Sequence, residues 1–278
     1  MSEILAHHGI LTDVNLHVDD TGGPGRAVVL IHGWPLSGES WSDQVPAFTE
    51  AGYRVITYDR RGFGRSDKPK AGYDYDTLTD DLEAVLAALN VTDATLAGFS
   101  MGGGEVARYF TKYGPNRLHS VVFASAVPPY LLQVPGNPQG PLTAAAAAEM
   151  TAGLTADQES FYADFTTQFF SVNGVFVVTE EQRQAAIAQT AQADKSAALQ
   201  SMQSFGVTDF REDLTKVTVP TLVIHGDSDA IVPFEGSGAR THAAIAGSEL
   251  HVITGGPHGV NVSHAEEFNR VVLEFLAK

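Results

Sequence analysis

Six short runs of apolar and β-branched residues recur along the chain, and most of them are bounded by Gly, Pro or Asp. The runs cover residues 27–31, 54–58, 94–97, 120–124, 219–224 and 250–253. Few polar positions interrupt them, which is typical of strands that are buried on both faces of a mainly parallel sheet. The hydrophobic pattern therefore predicts a sheet that is covered on both sides.

The segments between several of these runs have the periodicity of amphipathic helices. In residues 78–90, one helical face carries Leu78, Leu82, Val85, Leu86 and Leu89. Thr77 or Thr79 is the expected N-cap of this helix. Strands that alternate with helices predict an α/β architecture with right-handed crossovers. Near the start of the chain, residues 9–11 and 14–19 are expected to form a short antiparallel pair.

The alternation stops at the prolines of residues 128–141, and the residues that follow have helical composition without a buried strand. One domain with an insertion fits this pattern, with a core of residues 1–127 and 211–278 and a helical cap of residues 128–210. Four aromatic residues of the cap fall at helical spacing: Phe161, Phe165, Phe169 and Phe170. We expect this stripe mainly to pack, with a smaller part lining a substrate pocket.

The composition is that of an ordinary globular protein, with 44% apolar and 18% charged residues among 278. The formal net charge of −16 disfavours nucleic acid and anionic membrane surfaces as partners. No apolar run reaches the ~18–20 residues that a membrane span requires. The first residues lack the basic and apolar regions of a secretory signal, so a cytoplasmic location is the default expectation.

The sequence gives little support for metal binding. The chain has no cysteine, which excludes disulfides and thiolate metal ligands. The adjacent pair His7 and His8 has no further carboxylate or histidine at ligand spacing nearby, so a solvated terminus is expected there. We therefore expect no metal site.

Residues 98–102 read Gly-Phe-Ser-Met-Gly and lie between an apolar run and a helix-compatible stretch. A serine between two glycines at such a strand-to-helix turn is typical of a nucleophile elbow. The chain must turn sharply to expose the Ser100 hydroxyl, which leaves no room for a Cβ at Gly98 or Gly102 and strains the serine backbone. A flexible Gly/Ser turn is the alternative interpretation of this motif taken alone.

A serine hydroxyl is a poor nucleophile at neutral pH, and it needs a general base and a group that orients the base. His258 is the candidate base, because it occupies a tight Gly/Pro turn after the last apolar run. Asp229 is the candidate orienting acid, whereas Asp227, closer to the strand end, is expected to tie the loop through backbone N–H groups. Four other histidines are expected to be structural: His225, His242, His251 and His264.

Two backbone N–H groups are expected to hold the charge that develops on the attacked carbonyl oxygen. One belongs to Met101, directly after the serine. The other is assigned to Trp34, because the next residue, Pro35, has no N–H to donate. Gly33, the small residue before Trp34, allows the loop after the apolar run 27–31 to fold back toward Ser100.

Five motifs in order resemble those of the α/β-hydrolase superfamily, and within it the bacterial arylesterases and cofactor-free haloperoxidases, also called perhydrolases. They lie at residues 32–35 (HGWP), 58–66 (YDRRGFGRS), 98–102 (GFSMG), 225–229 (HGDSD) and 257–259 (PHG). The resemblance implies an α/β-hydrolase fold with a mostly parallel eight-stranded sheet, a helical cap, no cofactor and homo-oligomeric assembly. It implies these roles: Ser100 as nucleophile, His258 as base, Asp229 as orienting acid, and the Trp34 and Met101 amides as oxyanion hole.

These residues together predict a serine hydrolase that acts on small aryl or short-chain esters through an acyl-enzyme. Hydrogen peroxide in place of water would give a peroxyacid that oxidises halide, and Pro35 is expected to bias this choice through the Trp34 carbonyl. A lactamase or amidase with the same triad stays open as an alternative, and so does a non-catalytic, ligand-sensing protein of this fold. A haloalkane dehalogenase would need a carboxylate nucleophile in place of Ser100.

Overall fold

A computed structural model of the chain describes residues 2–6 and 13–278. These residues contain ten strands: β1 (Ser2–Ala6), β2 (Val14–Asp20), β3 (Ala27–Ile31), β4 (Arg54–Tyr58), β5 (Ala94–Phe99), β6 (Leu118–Ala124), β7 (Ser171–Val172), β8 (Val175–Phe176), β9 (Thr221–Gly226) and β10 (Glu249–Ile253). They also contain eleven α-helices: α1 (Gln44–Glu50), α2 (Tyr75–Ala88), α3 (Gly102–Lys112), α4 (Ala144–Ala156), α5 (Gln158–Phe169), α6 (Glu180–Thr190), α7 (Lys195–Val207), α8 (Arg211–Leu214), α9 (Gly238–Ala244), α10 (Val260–Ser263) and α11 (Ala265–Leu276). Two 3-10 helices lie at Gly38–Trp41 and Phe234–Gly236. Among these described helices, none has the length and apolar character needed to cross a membrane.

Eight of the strands form one sheet in the order β1-β2-β4-β3-β5-β6-β9-β10. The strand β2 runs antiparallel to both of its neighbours, and all the other pairs are parallel. Every residue of β3, β5 and β9 is buried, so side chains that point to either face of the sheet are covered. The predicted mainly parallel sheet, buried on both faces, is therefore confirmed for its centre.

The last strand, β10, departs from this expectation. It has one neighbour, β9, and its first residues are exposed or half-buried, with Leu250 38% exposed. An edge strand is covered on fewer sides than a central strand of the same composition. The apolar run at residues 250–253 is thus an edge strand and not a fully buried one.

The first two strands also differ from the expected pairing. The strand β2 pairs with β1, in a register that places Ser2 opposite Val18 and Ala6 opposite Val14. The expected partner, residues 9–11, lies outside the described residues, as do His7 and His8. The antiparallel arrangement holds for β2, but its observed partner precedes the predicted one.

The helix predicted at residues 78–90 begins earlier, at Tyr75, and ends at Ala88. Its N-cap is Asp74, whose side chain accepts a hydrogen bond from the Thr77 backbone N–H. The predicted caps Thr77 and Thr79 are therefore wrong. Both lie within the helix, where the Thr77 hydroxyl donates to the Asp74 carboxylate. The aspartate carries a full charge at the positive end of the helix, where it stabilises the first turn.

Five helices, α4 to α8, lie between β6 and β9, and four of them, α4 to α7, fall within the residues predicted to form a cap. A two-stranded hairpin of β7 and β8, which the sequence pattern does not predict, separates α5 from α6. The aromatic stripe packs as expected, because Phe161 and Phe165 are stacked and both meet the Trp34 ring edge-on. These rings attach the inserted helices to the loop after β3.

The register of the sheet aligns the carboxyl ends of its central strands. Ile31 lies opposite Gly98, and Ala124 lies opposite both Phe99 and Ile224. The loops that follow β3, β5, β9 and β10 consequently leave the sheet at one edge, where parallel sheets form their sites.

Candidate active site

The turn after β5 holds Ser100 in a conformation that few non-glycine residues adopt, with φ of +53°. A Cβ on Gly98 would lie 2.5 Å from the Gly102 carbonyl oxygen, and a Cβ on Gly102 would lie 2.5 Å from that of Ile31. Both approaches are far inside van der Waals contact. The predicted steric reason for the two glycines is confirmed.

Three side chains from three different loops form a hydrogen-bonded chain at this edge. His258 Nε2 lies 2.9 Å from Ser100 Oγ, and His258 Nδ1 lies 2.7 Å from Asp229 Oδ2. All three residues are buried. With Nδ1–H donating to the carboxylate, Nε2 is left as the acceptor for the serine proton, which is the tautomer that general-base chemistry requires.

Asp229 is held by hydrogen bonds to both of its carboxylate oxygens. Its Oδ1 accepts from the backbone N–H groups of Ile231 (2.9 Å) and Val232 (2.8 Å), and its Oδ2 faces His258 and His225. Burial by itself would raise the pKa of Asp229, but His258 and His225 outweigh it and hold this pKa well below the usual range. Asp229 therefore stays ionised.

Asp227, the aspartate not chosen as the orienting acid, ties the loop as predicted. Its Oδ1 accepts from the Gly255 backbone N–H at 2.8 Å and from the Ser228 hydroxyl at 3.0 Å. These bonds tie the loop after β9 to the loop after β10, and Asp227 itself is exposed. The prediction that Asp227 ties the loop through backbone N–H groups is confirmed.

His225 contacts the candidate acid directly, which the sequence interpretation missed. It is fully buried at the end of β9, and its Nε2 lies 3.1 Å from Asp229 Oδ2 and 2.8 Å from the Val232 carbonyl oxygen. The sequence signal that could have indicated this contact is the short separation of His225 and Asp229, which are four residues apart. The other three histidines that were predicted to be structural form hydrogen bonds away from the triad: His242 with Ser248, His251 with Glu267 and His264 with Ser263.

The two amides predicted to form the oxyanion hole belong to the loop after β3 and to the turn after β5. Among the described residues, neither the Trp34 nor the Met101 backbone N–H has a hydrogen-bond acceptor in the protein. The Met101 carbonyl oxygen accepts from the Tyr75 hydroxyl at 3.0 Å, which fixes the start of α3. A Cβ on Gly33 would lie 2.7 Å from the Phe99 ring, so the loop after β3 does fold back against the elbow.

The loop after β3 is fixed by a buried polar network. His32 Nε2 accepts from the Arg60 backbone N–H at 2.9 Å, and the Arg60 guanidinium donates to the His32 carbonyl oxygen at 2.8 Å. Arg60 also pairs with Glu105 of α3, which accepts from the Tyr58 hydroxyl at 2.6 Å. The loop that carries Trp34 is thereby tied to the helix that begins after the elbow.

His32 gives a testable dependence of stability on pH. Burial and the neighbouring Arg60 charge lower the pKa of His32 from 6.5 to about 3. Below about pH 6.5, His32 binds a proton in the unfolded chain but not in the folded chain. The free energy of unfolding therefore falls as the pH drops toward 3. We expect this group to cost about 2 kcal/mol of unfolding free energy between pH 6.5 and 5. Urea unfolding of wild type and His32→Asn measures it, and an unchanged pH slope in the variant would contradict it.

A cavity of about 70 Å³ opens on the Ser100 side chain. Its other lining residues are apolar: Trp34, Val127, Leu131, Pro141, Leu142, Met150, Phe165, Phe205, Ile231 and Val232. Phe165 of the stripe thus lines the cavity, and Phe169 lies edge-on to the His258 ring with centroids 4.8 Å apart. Such a cavity suits a small uncharged group next to the serine. Within the described part of the chain, no cluster of three or more His, Asp or Glu side chains could hold a metal ion.

Comparisons with known proteins match nearly the whole chain. A family model described as alpha/beta hydrolase fold matches residues 26–265. A non-heme chloroperoxidase from Kitasatospora aureofaciens is 43% identical over 92% of this chain and 94% of that protein. A bifunctional esterase/perhydrolase from Acinetobacter calcoaceticus is 36% identical over 91% and 93% of the two chains. A bromoperoxidase structure from Bacillus anthracis covers all of both chains with a TM-score of 0.95 and 49% identity. The similarity thus includes the inserted helices as well as the sheet.

Proposed function

Because the chain belongs to the alpha/beta hydrolase fold family, we propose that it is a serine hydrolase of small aryl or short-chain carboxylic esters. The observation that carries this proposal is the hydrogen-bonded chain from Asp229 through His258 to Ser100, which ends at an apolar cavity. The names of the related proteins, an esterase/perhydrolase and haloperoxidases, support the same reaction class.

Each residue of the triad then has a defined role. The Ser100 hydroxyl attacks the ester carbonyl carbon while His258 Nε2 takes its proton, and the Trp34 and Met101 amides donate to the oxyanion. As the C–O bond to the alcohol breaks, His258 gives the proton to the leaving oxygen and an acyl-enzyme remains. Water, deprotonated by His258, attacks the acyl-enzyme and releases the acid. Asp229 stays ionised and stabilises the imidazolium in both halves.

Hydrogen peroxide replaces water in the proposed side reaction. Its attack on the acyl-enzyme releases a peroxyacid, which passes its terminal oxygen to halide and gives hypohalite and the carboxylic acid. We propose that the Trp34 carbonyl accepts a hydrogen bond from the bound peroxide. Pro35 restricts the direction of that carbonyl, because its ring limits the backbone conformation of the preceding residue, Trp34.

Replacing this proline tests the proposed choice of nucleophile. We expect Pro35→Ala to lower the ratio of peroxyacid to acid formed from one acyl-enzyme several-fold, because the Trp34 carbonyl loses its fixed direction. The measurement is competition between water and hydrogen peroxide on a single ester, with Pro115→Ala, an exposed proline before β6, as control. An unchanged ratio in Pro35→Ala would remove the residue from this role.

A substrate panel tests the proposed function directly. We expect p-nitrophenyl acetate and phenyl acetate to be hydrolysed, because a small acyl group fits the cavity beside Ser100. The panel includes small lactams, since an amidase would use the same triad. Turnover of lactams without esters would replace the proposal by the amidase alternative, and binding without turnover would favour the non-catalytic one.

The organisation of the protein gives the remaining parts of the proposal. We propose a core of residues 1–127 and 211–278 that carries the reaction, and a cap of residues 128–210 that selects the small-molecule substrate. We also propose that the enzyme acts in the cytoplasm as a homo-oligomer, without nucleic acid or membrane partners. Sedimentation equilibrium of the purified chain measures the assembly.

A further inference from the structure

A large cleft lies between α4 and α7. It has a volume of about 810 Å³, against about 70 Å³ for the cavity at Ser100, and we call it the α4–α7 groove. Residues that line only the groove include Ala148 and Ala152 of α4 and Leu199 and Gln203 of α7. None of its lining residues is charged, although the chain carries a net charge of −16.

The groove and the catalytic cavity share a wall. Leu142, Met150 and Phe205 line both spaces, so the two are separated by single side chains. Met150 is only partly buried, and methionine is an unbranched side chain that changes rotamer readily. A shift of this side chain would join the groove to the cavity beside Ser100.

We propose that the α4–α7 groove is an outer substrate subsite, which takes an extended apolar chain of an ester whose carbonyl lies at Ser100. This inference rests on the proposed ester hydrolysis and names its substrate class. The shared wall favours the substrate as occupant over a separate partner, because the groove continues toward the reacting atoms. The uncharged lining favours an alkyl chain over a charged one, since burying an unpaired charge there would be costly.

Filling the groove tests the proposal. Ala152→Trp places a large ring in the groove, whereas Ala145→Trp, exposed on the same helix but outside the groove, is the matched control. We measure kcat/KM for p-nitrophenyl acetate and octanoate, and for ethyl and octyl acetate by acid release. We expect Ala152→Trp to lower the long-to-short ratio about tenfold or more in one series, because each CH₂ excluded from the groove loses its burial. Ala145→Trp keeps the wild-type ratio.

The two series identify which end of the ester lies in the groove. A ratio unchanged by Ala152→Trp in both series, with short esters still hydrolysed, would overturn the subsite alone. If the wild-type enzyme hydrolyses none of the esters, including the acetates, the proposed function is overturned and the subsite with it. A change of mass in size-exclusion chromatography with unchanged ratios would assign the groove to a contact between copies of the chain.

A second inference comes from the surroundings of His225. Its Nε2 faces two acceptors, Asp229 Oδ2 and the Val232 carbonyl oxygen, so the proton of this ring lies on Nε2. Its Nδ1 is buried beside Gly238 and has no hydrogen-bond partner among the described residues. His225 Nε2 is therefore the donor to Asp229.

The geometry points to His225 as a positioning residue that holds Asp229 in line with His258. We expect His225→Leu to lower kcat about tenfold or more with KM little changed. Loss of the donor leaves more negative charge on Asp229 for the imidazolium of His258, so the acid limb of kcat against pH moves to higher pH. His225→Gln, whose amide can donate in place of Nε2, restores most of kcat.

Two results would overturn this role. The first is a kinetic result that makes His225 merely structural. A folded His225→Leu enzyme that keeps the wild-type kcat and the wild-type acid limb of kcat against pH would be such a result. Equal losses of kcat in His225→Leu and His225→Gln, with the acid limb at its wild-type pH, would be another. The second needs no variant: ¹⁵N spectra of histidine-labelled wild type that place the His225 proton on Nδ1 would contradict the assigned donor.

Discussion

Ser100→Ala abolishes ester hydrolysis in the proposed mechanism, with an expected fall in kcat for p-nitrophenyl acetate of about 10⁴-fold or more. The loss is this large because the variant cannot form the acyl-enzyme, while the oxyanion amides and the cavity are left in place. Steady-state kinetics with active-site titration of the wild type measures both the rate and the fraction of acylated enzyme.

The chain offers a matched control for this substitution. Ser125 is also a buried serine with a positive φ, +42°, and it follows the neighbouring strand β6. Ser125→Ala therefore places alanine in a comparable backbone conformation without touching the triad. Equal rates for Ser100→Ala and wild type would refute the assigned nucleophile, and similar losses in both serine variants would trace the effect to the backbone.

Asp229→Asn is expected to lower kcat about 10³–10⁴-fold with little change in fold. The amide oxygen of the asparagine will take the position of Oδ1, because the Ile231 and Val232 N–H groups donate there. Its NH₂ group then faces His258 Nδ1 and forces the histidine proton onto Nε2. In that tautomer Nε2 cannot accept the proton of Ser100.

Asp227→Asn separates this effect from a general disturbance of the loop. Asp227 lies two residues away and is exposed, and among the described residues its carboxylate accepts hydrogen bonds only from Gly255 and Ser228. We expect its variant to keep kcat within a few-fold of wild type in the same assay. A larger loss in Asp227→Asn than in Asp229→Asn would reverse the assignment of the orienting acid.

The sequence predicted those features that depend on local chemistry and period. Continuous apolar runs identify central strands, and the polar turns after them fall at one edge because parallel strands share a direction. The steric demand at Gly98 and Gly102 follows from the sharp turn alone. This is why candidate residues 158 positions apart, Ser100 and His258, could be assigned to one site before their contact was seen.

Features that depend on tertiary neighbours were not predictable in the same way. The runs of β9 and β10 are similar, yet β9 has a neighbouring strand on each side and β10 lies at the edge of the sheet. The contact of His225 with Asp229 depends on which face of β9 the ring occupies, and a register shift of one residue would reverse it. The cavity and the α4–α7 groove depend on how the inserted helices pack, which helical periodicity does not specify.

The edge position of β10 has a consequence for how the protein folds. The loop that carries His258 follows this strand, so the serine and its base meet only after the C-terminal end of the sheet has docked on β9. Contacts between residues so distant in sequence form slowly, because the entropy of closing a long loop is lost before the contacts stabilise the fold. Recovery of ester hydrolysis during refolding would then follow the closing step of sheet assembly, and the substrate would act as a reporter of the completed native topology.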